Sequence, residues 1–196
     1  MTDTLRWISE GHPPRTDYKI FSVSRQPARH TSSGRTGTFT RIHSPNWVNV
    51  IALTPQHEVV LVKQYRHGLE SVTLEIPGGM MDDGEDELSA GLRELHEETG
   101  YRTGHAYSMA SVHPNPAFMT NHCGLVLALN VIVSGSRSLD PNEVIDVLTV
   151  PLADIPNLIL SGEITHTLVI SAFFFYQNLF GGWAPPSADD LEKLRV

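Results

Sequence analysis

The 196-residue chain contains a single cysteine, Cys123, and no apolar run long enough to cross a bilayer. One cysteine excludes an intrachain disulfide, and low cysteine usage is typical of proteins from a reducing compartment. Residues 1–4 lack the basic and apolar leader of a secretory signal peptide. We therefore expect a cytoplasmic protein that does not associate with membranes.

Basic residues are scarce in one segment in particular. The chain has 22 acidic and 14 basic residues and a net charge of −8. Between Asp82 and Glu98 there are eight acidic residues and one basic residue, Arg93, whereas the rest of the chain is nearly balanced. A local acidic cluster suggests a cation site and disfavours nucleic acid as a partner, because phosphate backbones bind to basic faces. A solvated acidic helix would have the same composition.

The acidic segment also gives the clearest helix prediction, over residues 86–99. Its apolar stripe at helical spacing consists of Leu88, Leu92 and Leu95. Asp82 and Asp83 are predicted caps, and Gly100 supplies the left-handed residue that often ends a helix. Gly91 interrupts the helix at a cost of about 1 kcal/mol relative to alanine, which close packing would explain.

Predicted strands surround this helix and do not follow a simple alternating order. Antiparallel strands are predicted at 18–23 and 36–42, and a hairpin within 47–65. The remaining predictions are strands at 72–76, 106–112, 124–133 and 144–150, and helices at 155–161 and 165–180. This order predicts an α/β protein with a mixed sheet between helical layers. The predicted organisation is an N-terminal β extension at 1–45, a main domain at 46–182 and a tail at 183–196.

Glu94, Glu97 and Glu98 form the chemical constellation of the sequence. Residues three and four apart lie on neighbouring ridges of a helix, so the three carboxylates are crowded and repel one another. A hard divalent cation such as Mg²⁺ prefers oxygen ligands and would offset this repulsion. Gly78 and Gly79, just upstream, allow a sharp bend that would offer a carbonyl oxygen to the metal.

The segment from Gly79 to Tyr101 resembles the Nudix box. The matching positions are Gly79, then Glu85 after five residues, Arg93-Glu94-Leu95 after seven more, Glu97-Glu98 and Gly100. Tyr101 stands where the family usually has an aliphatic residue. The resemblance implies a Nudix α/β/α sandwich and a Mg²⁺ cofactor, with Mn²⁺ as a substitute. It also implies a ligand set of Glu94, Glu97, Glu98 and the Gly78 carbonyl, with Glu85 and Arg93 positioning the helix.

Flanking residues resemble the ADP-ribose and nucleotide-sugar pyrophosphatase branch of that family. The resemblance rests on Gln64-Tyr65-Arg66, on residues 74–79, where Gly78 replaces the usual alanine, and on Pro116 in a later loop. It implies hydrolysis of ADP-ribose or a related nucleoside diphosphate sugar. Arg66 is the predicted ligand of the substrate's phosphates or terminal ribose. Trp47 and Phe118 are candidates for stacking on the base, although buried aromatic residues more often fill cores.

A loop carboxylate is the predicted catalytic base, acting beside Glu97 and Glu98. Glu143 aligns best with the acid that this branch takes from the loop, and Asp140 and Asp146 are competitors. In this branch N-terminal strands pair with a second subunit, so the resemblance also implies a homodimer formed through residues 1–45.

The same residues are compatible with other interpretations. A Nudix hydrolase could instead act on a dinucleoside polyphosphate, a non-adenine nucleotide sugar or an oxidised nucleoside triphosphate. A non-catalytic Nudix-like regulator would be expected to lose acids of the box, and this chain keeps them. The ten histidines contain no H-E-x-x-H arrangement and are interpreted as structural or surface residues rather than zinc ligands.

Overall fold

The computed structural model describes residues 4–194. The chain divides into two compact units, each with its own sheet. Among the described residues, the first unit contains 4–46 and 113–122, and the second contains 47–112 and 123–194. Within residues 4–194 no helix is long and apolar enough to span a membrane. The predicted domain boundaries at 45 and 182 stay predictions. Residues 1–3 of the predicted N-terminal extension and residues 195–196 of the predicted tail lie outside the described part of the chain.

The first unit is built on a four-stranded antiparallel sheet. Its strands are β1 (Trp7–Ser9), β2 (Arg15–Asp17), β3 (Ser22–His30) and β4 (Thr36–His43). Strand β3 is central, with β4 along one edge and the short β1 and β2 at the two ends of the other edge. Residues 113–122 join this unit through a bridge between Ile42 and Met119 and a bond from Asn121 Nδ2 to the Pro45 carbonyl.

The strand predicted at 18–23 begins later than expected. Tyr18 to Phe21 form the turn between β2 and β3, where Lys19 has a φ of 68° and the Tyr18 N–H donates to the Phe21 carbonyl. Strand β3 instead continues through Pro27, which a sequence pattern treats as a strand breaker. Pro27 has no N–H to donate, but its carbonyl oxygen accepts the N–H of Glu10, and the Glu10 carbonyl is satisfied by Nε2 of Gln26 at 3.0 Å.

The second unit contains a seven-stranded mixed sheet. Its strands are β5 (Trp47–Leu53), β6 (Glu58–Arg66), β7 (Ser71–Glu75), β8 (Gly78–Met80), β10 (His105–Val112), β11 (Cys123–Leu129) and β13 (Ile145–Pro151). The order is β10-β11-β5-β6-β13, with β7 paired to β6 and β8 paired to β5. Strands β11 and β5 are parallel, and the other pairs are antiparallel. A separate two-stranded ladder joins β9 (Tyr101–Arg102) and β12 (Ile132–Val133).

Helices cover both faces of this mixed sheet. They are α1 (Glu87–Thr99), α2 (Ile155–Leu160), α3 (Thr167–Phe180) and the short α4 (Ala188–Glu192) in the predicted tail. Alternate residues of β5 face opposite ways: Val48 and Val50 pack in the core cluster that includes α1, whereas Ile51 and Leu53 pack in the cluster that includes α2 and α3. The predicted α/β/α sandwich with a mixed sheet is therefore confirmed.

Helix α1 carries the acidic segment and is fixed at both ends. Its N-terminal cap is Asp86, whose side chain accepts the Ser89 N–H at 2.7 Å, so the prediction of Asp82 and Asp83 as caps is wrong. Gly100 ends the helix with a φ of 76°, as predicted. A Cβ at Gly91 would lie 3.1 Å from a methyl carbon of Val50, so this glycine allows α1 to approach the sheet closely.

Candidate active site

A cavity of about 530 Å³ lies in the second unit, beside helix α1. Its walls come from β6, β8, α1 and the loop before β13. The ionisable lining consists of six acids, Asp82, Glu94, Glu97, Glu98, Asp140 and Glu143, and two bases, Arg66 and Arg93. The carboxylates predicted from the helix and from the loop are therefore brought together in one strongly acidic cavity.

Two glycines of β8 form the floor beneath the helix carboxylates. A Cβ at Gly79 would lie 2.5 Å from Oε1 of Glu94, and a Cβ at Gly78 would lie 2.2 Å from the carbonyl oxygen of Val48. A side chain at Gly78 would require the sheet backbone to move, whereas a side chain at Gly79 would displace the carboxylate of Glu94. The Gly78 N–H donates to Oε2 of Glu98 at 3.0 Å.

Arg93 links the helix to the loop that precedes it. Its Nε and Nη2 donate to the two carboxylate oxygens of Glu85 at 3.1 and 2.9 Å, and Nη2 also donates to the Met80 carbonyl at 2.9 Å. Its Nη1 donates to Glu94 at 2.9 Å and to Glu97 at 3.0 Å. All five N–H donors of this guanidinium are thus used within the protein. Hydrogen bonding to Glu85 raises the pKa of Arg93, so the group stays charged.

Glu98 and Glu94 are held in an environment that disfavours their charge. Glu98 is only 3% exposed, and burial raises its pKa to about 8 against the opposing Gly78 hydrogen bond, with the charges of Glu94 and Glu143 adding to the shift. Burial also raises the pKa of Glu94, although Arg93 opposes this effect. Two ionised carboxylates here require a cation nearby.

The donor set of the cavity fits a hard divalent cation. Carboxylate oxygens are the ligands that Mg²⁺ and Mn²⁺ prefer, and such an ion would offset the burial and the mutual repulsion that raise these pKa values. Within residues 4–194 no three carboxylate, imidazole or thiol groups already converge as a complete metal site. Glu94 and Glu97 are turned to Arg93, and Glu98 to Gly78, so binding one ion with all three requires side-chain rotation.

The loop before β13 supplies two of the three acids considered as the base. Glu143 and Asp140 line the cavity, and they brace each other: the Asp140 N–H donates to Oε2 of Glu143 at 3.0 Å. The Ser138 N–H donates to the Glu97 carbonyl at 2.9 Å, which ties the loop to α1. Asp146 lies on β13, opposite Lys63 of β6 in the strand register, and does not line the cavity.

Arg66 lines the cavity and is paired with an acid to which the sequence analysis gave no role. Its Nε and Nη2 donate to Oε1 and Oε2 of Glu75, each at 2.8 Å. Thr73 donates its hydroxyl to the same carboxylate at 2.6 Å. A signal for this contact was available, because Thr73 and Glu75 are two apart on β7 and Arg66 is on the preceding strand of the same hairpin.

The other predicted substrate residues do not line the acidic cavity. Trp47, on β5, packs against the core cluster that includes α3. Pro116 and Phe118 belong to the first unit, where they line a smaller cavity of about 250 Å³ together with Trp7 and Phe39.

The family model of the NUDIX domain matches residues 44–171. The chain belongs to the Nudix family. It is 32% identical over 137 residues to an ADP-ribose pyrophosphatase of Bacillus subtilis (strain 168), covering 69% of this chain and 74% of that protein. It is 31% identical over 146 residues to a methanol dehydrogenase activator of Bacillus methanolicus, covering 74% and 79% of the two chains.

A solved structure titled as an ADP compounds hydrolase shares the fold of this Nudix protein. The TM-score is 0.75 at 20% identity, and the match covers 90% of this chain and 92% of the other. The predictions of Nudix membership and of a Nudix hydrolase are confirmed by the family match and these relatives. The individual roles assigned to Glu94, Glu97, Glu98 and Glu143 stay predictions.

Glu98→Gln should stabilise the metal-free Nudix protein in a pH-dependent way. The pKa of Glu98 rises from an ordinary value of 4.5 to about 8 on folding. Between these two pH values, Glu98 is protonated in the folded state and ionised in the unfolded state. The stability that this carboxyl contributes is therefore lost as the pH rises from the lower value to the higher one. We expect the variant to melt above the wild type in a chelator by roughly 2–4 °C at pH 8.5, a gain of about 1 kcal/mol, and by less at pH 6.

Differential scanning calorimetry at the two pH values checks this prediction. Glu163→Gln, the same change at an exposed carboxylate outside the cavity, is the matched control and should show no pH-dependent gain. Equal melting temperatures of wild type and Glu98→Gln at pH 8.5 would contradict the burial cost assigned to Glu98.

Proposed function

We propose that this Nudix hydrolase cleaves the diphosphate bond of ADP-ribose or a related nucleoside diphosphate sugar, giving a nucleoside monophosphate and a sugar phosphate. The observation that carries the proposal is the shared cavity, in which three α1 carboxylates, the loop acid Glu143 and Arg66 form the lining. The choice of substrate is supported by the relatives named ADP-ribose pyrophosphatase.

Glu94, Glu97, Glu98 and the Gly78 carbonyl are the groups that would hold Mg²⁺, or Mn²⁺ in its place. When bound, such an ion neutralises charge on the diphosphate and lowers the pKa of a water molecule. Without a bound ion, Arg93 holds Glu94 and Glu97 at the cavity wall through hydrogen bonds of 2.9 and 3.0 Å. Its positive charge also reduces the repulsion between these two carboxylates.

Glu143 acts as the general base in this proposal. Its carboxylate lines the cavity and is braced by Asp140, so it can accept a proton from a water molecule that attacks one phosphorus atom. The other phosphate leaves with the electron pair of the broken P–O bond. Arg66 donates hydrogen bonds to phosphate oxygens and stabilises their charge.

Pro116, Phe118 and Trp47 are proposed to contact the base of the nucleotide. For Pro116 and Phe118, the supporting observation is the aromatic lining of the cavity in the first unit, where Phe118 is 41% exposed and therefore able to stack on a ligand. Trp47 does not line this cavity, and its role rests on the family resemblance alone. We further propose that the protein acts in the cytoplasm.

ADP-ribose and Mg²⁺ should give AMP and ribose 5-phosphate with the purified protein. A panel that contains ADP-ribose, other nucleotide sugars, a dinucleoside polyphosphate and an oxidised nucleoside triphosphate identifies the preferred class by chromatography of the products. Chelation should abolish the reaction, and Mg²⁺ or Mn²⁺ should restore it. Preference for a triphosphate or a dinucleoside polyphosphate would overturn the proposed substrate, and activity without divalent ions would overturn the cofactor.

Glu143→Gln should lower kcat by about 10²–10⁴-fold with little change in fold, because it removes the proton acceptor and keeps the shape of the side chain. Asp140→Asn tests the neighbouring acid, and Asp146→Asn tests the acid that does not line the cavity. We expect the order of loss to be Glu143, then Asp140, then Asp146. A larger loss in Asp146→Asn than in Glu143→Gln would show that the assignment of the base is wrong.

A homodimer formed through the N-terminal strands is proposed as the working form. The supporting observation is that Ile8, Tyr18 and Ile20 of the first unit are each more than 40% exposed as large apolar side chains. Sedimentation equilibrium at micromolar concentration should give twice the chain mass of 21.7 kDa. A mass of one chain under these conditions would refute the dimer.

A further inference from the structure

Arg66 is the cation of the acidic cavity that keeps an unused donor group. The other lining cation, Arg93, donates all of its N–H groups to protein oxygens. Arg66 uses Nε and Nη2 on Glu75, and within residues 4–194 its Nη1 amino group has no protein partner. A phosphate oxygen that enters this cavity therefore finds a free arginine donor at Arg66 and not at Arg93.

The two side chains of the Arg66–Glu75 pair differ in exposure, which suits the binding of a phosphate by Arg66. The Glu75 side chain is 1% exposed, whereas the Arg66 side chain is 42% exposed and lines the cavity. The buried carboxylate thus accepts two parallel hydrogen bonds of 2.8 Å from Nε and Nη2, the edge of the guanidinium that faces the protein interior. This fork arrangement fixes both the plane and the rotation of the guanidinium.

Glu75 is itself held in place and kept charged. Thr73 donates to Oε1 of Glu75 at 2.6 Å, so three donors fix the carboxylate. Burial would raise the pKa of Glu75, but the hydrogen bonds from Arg66 and Thr73 hold it below its ordinary value. Burial lowers the pKa of the neighbouring His166, so this imidazole is neutral at neutral pH and leaves Arg66 as the charged partner.

Fold stability alone gives a weak reason for such a pair. A buried carboxylate loses its hydration, and apolar residues of similar volume often stabilise a protein equally well or better. A fixed guanidinium does have an advantage in binding. An unrestrained arginine samples many rotamers, and a side chain that is ordered beforehand loses less conformational entropy when it binds phosphate.

We propose that Glu75, braced by Thr73, is a positioning residue that fixes the guanidinium of Arg66 so that its Nη1 amino group donates to the phosphates of the substrate. The inference rests on the proposed function, because it concerns the same cavity. It assigns no chemistry to Glu75, which contacts neither the reacting atoms nor the metal ligands and acts through Arg66.

A double-mutant cycle in the full-length protein tests this role. Glu75→Gln keeps the volume but turns an amide N–H₂ toward the guanidinium, and should lower kcat/KM for ADP-ribose by about 10-fold, mainly through KM. Thr73→Val should give a smaller loss in the same direction. In an Arg66→Met background, Glu75→Gln should change kcat/KM by less than about twofold, because the residue through which it acts is absent.

A spectroscopic readout separates positioning from a general loss of structure. In protein labelled with ¹⁵N-arginine, the Arg66 Nε–H should give a resolved signal in the wild type that shifts on addition of Mg²⁺ and inorganic pyrophosphate. Glu75→Gln should lose or broaden this signal, whereas Glu163→Gln, which changes an exposed carboxylate outside the cavity, should preserve both the signal and the kinetics. The signal is assigned by its absence from Arg66→Met, in which Glu75 is unchanged.

Two results would overturn the inference: an unchanged kcat/KM in folded Glu75→Gln, or an equal loss in the wild-type and Arg66→Met backgrounds, which would make Glu75 purely structural. If the wild type hydrolyses no nucleotide sugar, the proposed function fails, and the pyrophosphate titration then decides on Glu75 alone. A shift of the Arg66 signal that is lost in Glu75→Gln supports positioning, and an equal shift in both proteins refutes it.

Discussion

The guanidinium of Arg93 is the interaction on which the acidic cavity depends. It neutralises part of the charge on Glu94 and Glu97 and holds both by hydrogen bonds, while Glu85 and the Met80 carbonyl tie it to the preceding loop. Without this cation, Glu94 and Glu97 would lose the positive charge that offsets their mutual repulsion. The position of this arginine within the acidic segment is therefore as necessary to the site as the acids themselves.

Other features of the cavity lower the stability of the fold and suit the proposed binding of a cation. Glu98 is buried beside other acids, and Gly78 and Gly79 occupy positions where any Cβ would collide with the sheet or with Glu94. A buried carboxylate with a raised pKa destabilises the metal-free fold near neutral pH, and the proposed role of Glu98 as a cation ligand gives a reason for keeping it. Binding of the proposed cation should therefore stabilise the folded protein, because the cation binds the folded state and offsets the charge of Glu98.

The helix and its carboxylates could be predicted from the sequence because their geometry is local. Spacings of three and four residues place Glu94, Glu97 and Glu98 together on any helix, and Gly100 ends it by its own left-handed backbone. The cap was predicted wrongly, because several acids precede the helix and only the backbone path selects Asp86. The pairing of β8 with β5 brings Gly79 beneath Glu94, and this long-range contact has no periodic signature.

The charge inventory of the cavity constrains the order of events at the site. Six acids face two bases, and one of these bases, Arg93, has every donor engaged. A diphosphate that entered alone would meet a net negative wall with Arg66 as its one available cation among the described lining residues. Each ionised carboxylate of the lining repels the diphosphate, and Arg66 opposes this repulsion with a single charge. Under the proposed function, we therefore expect the diphosphate to enter together with divalent cations or after them. Arg66, fixed by Glu75, would then orient the diphosphate.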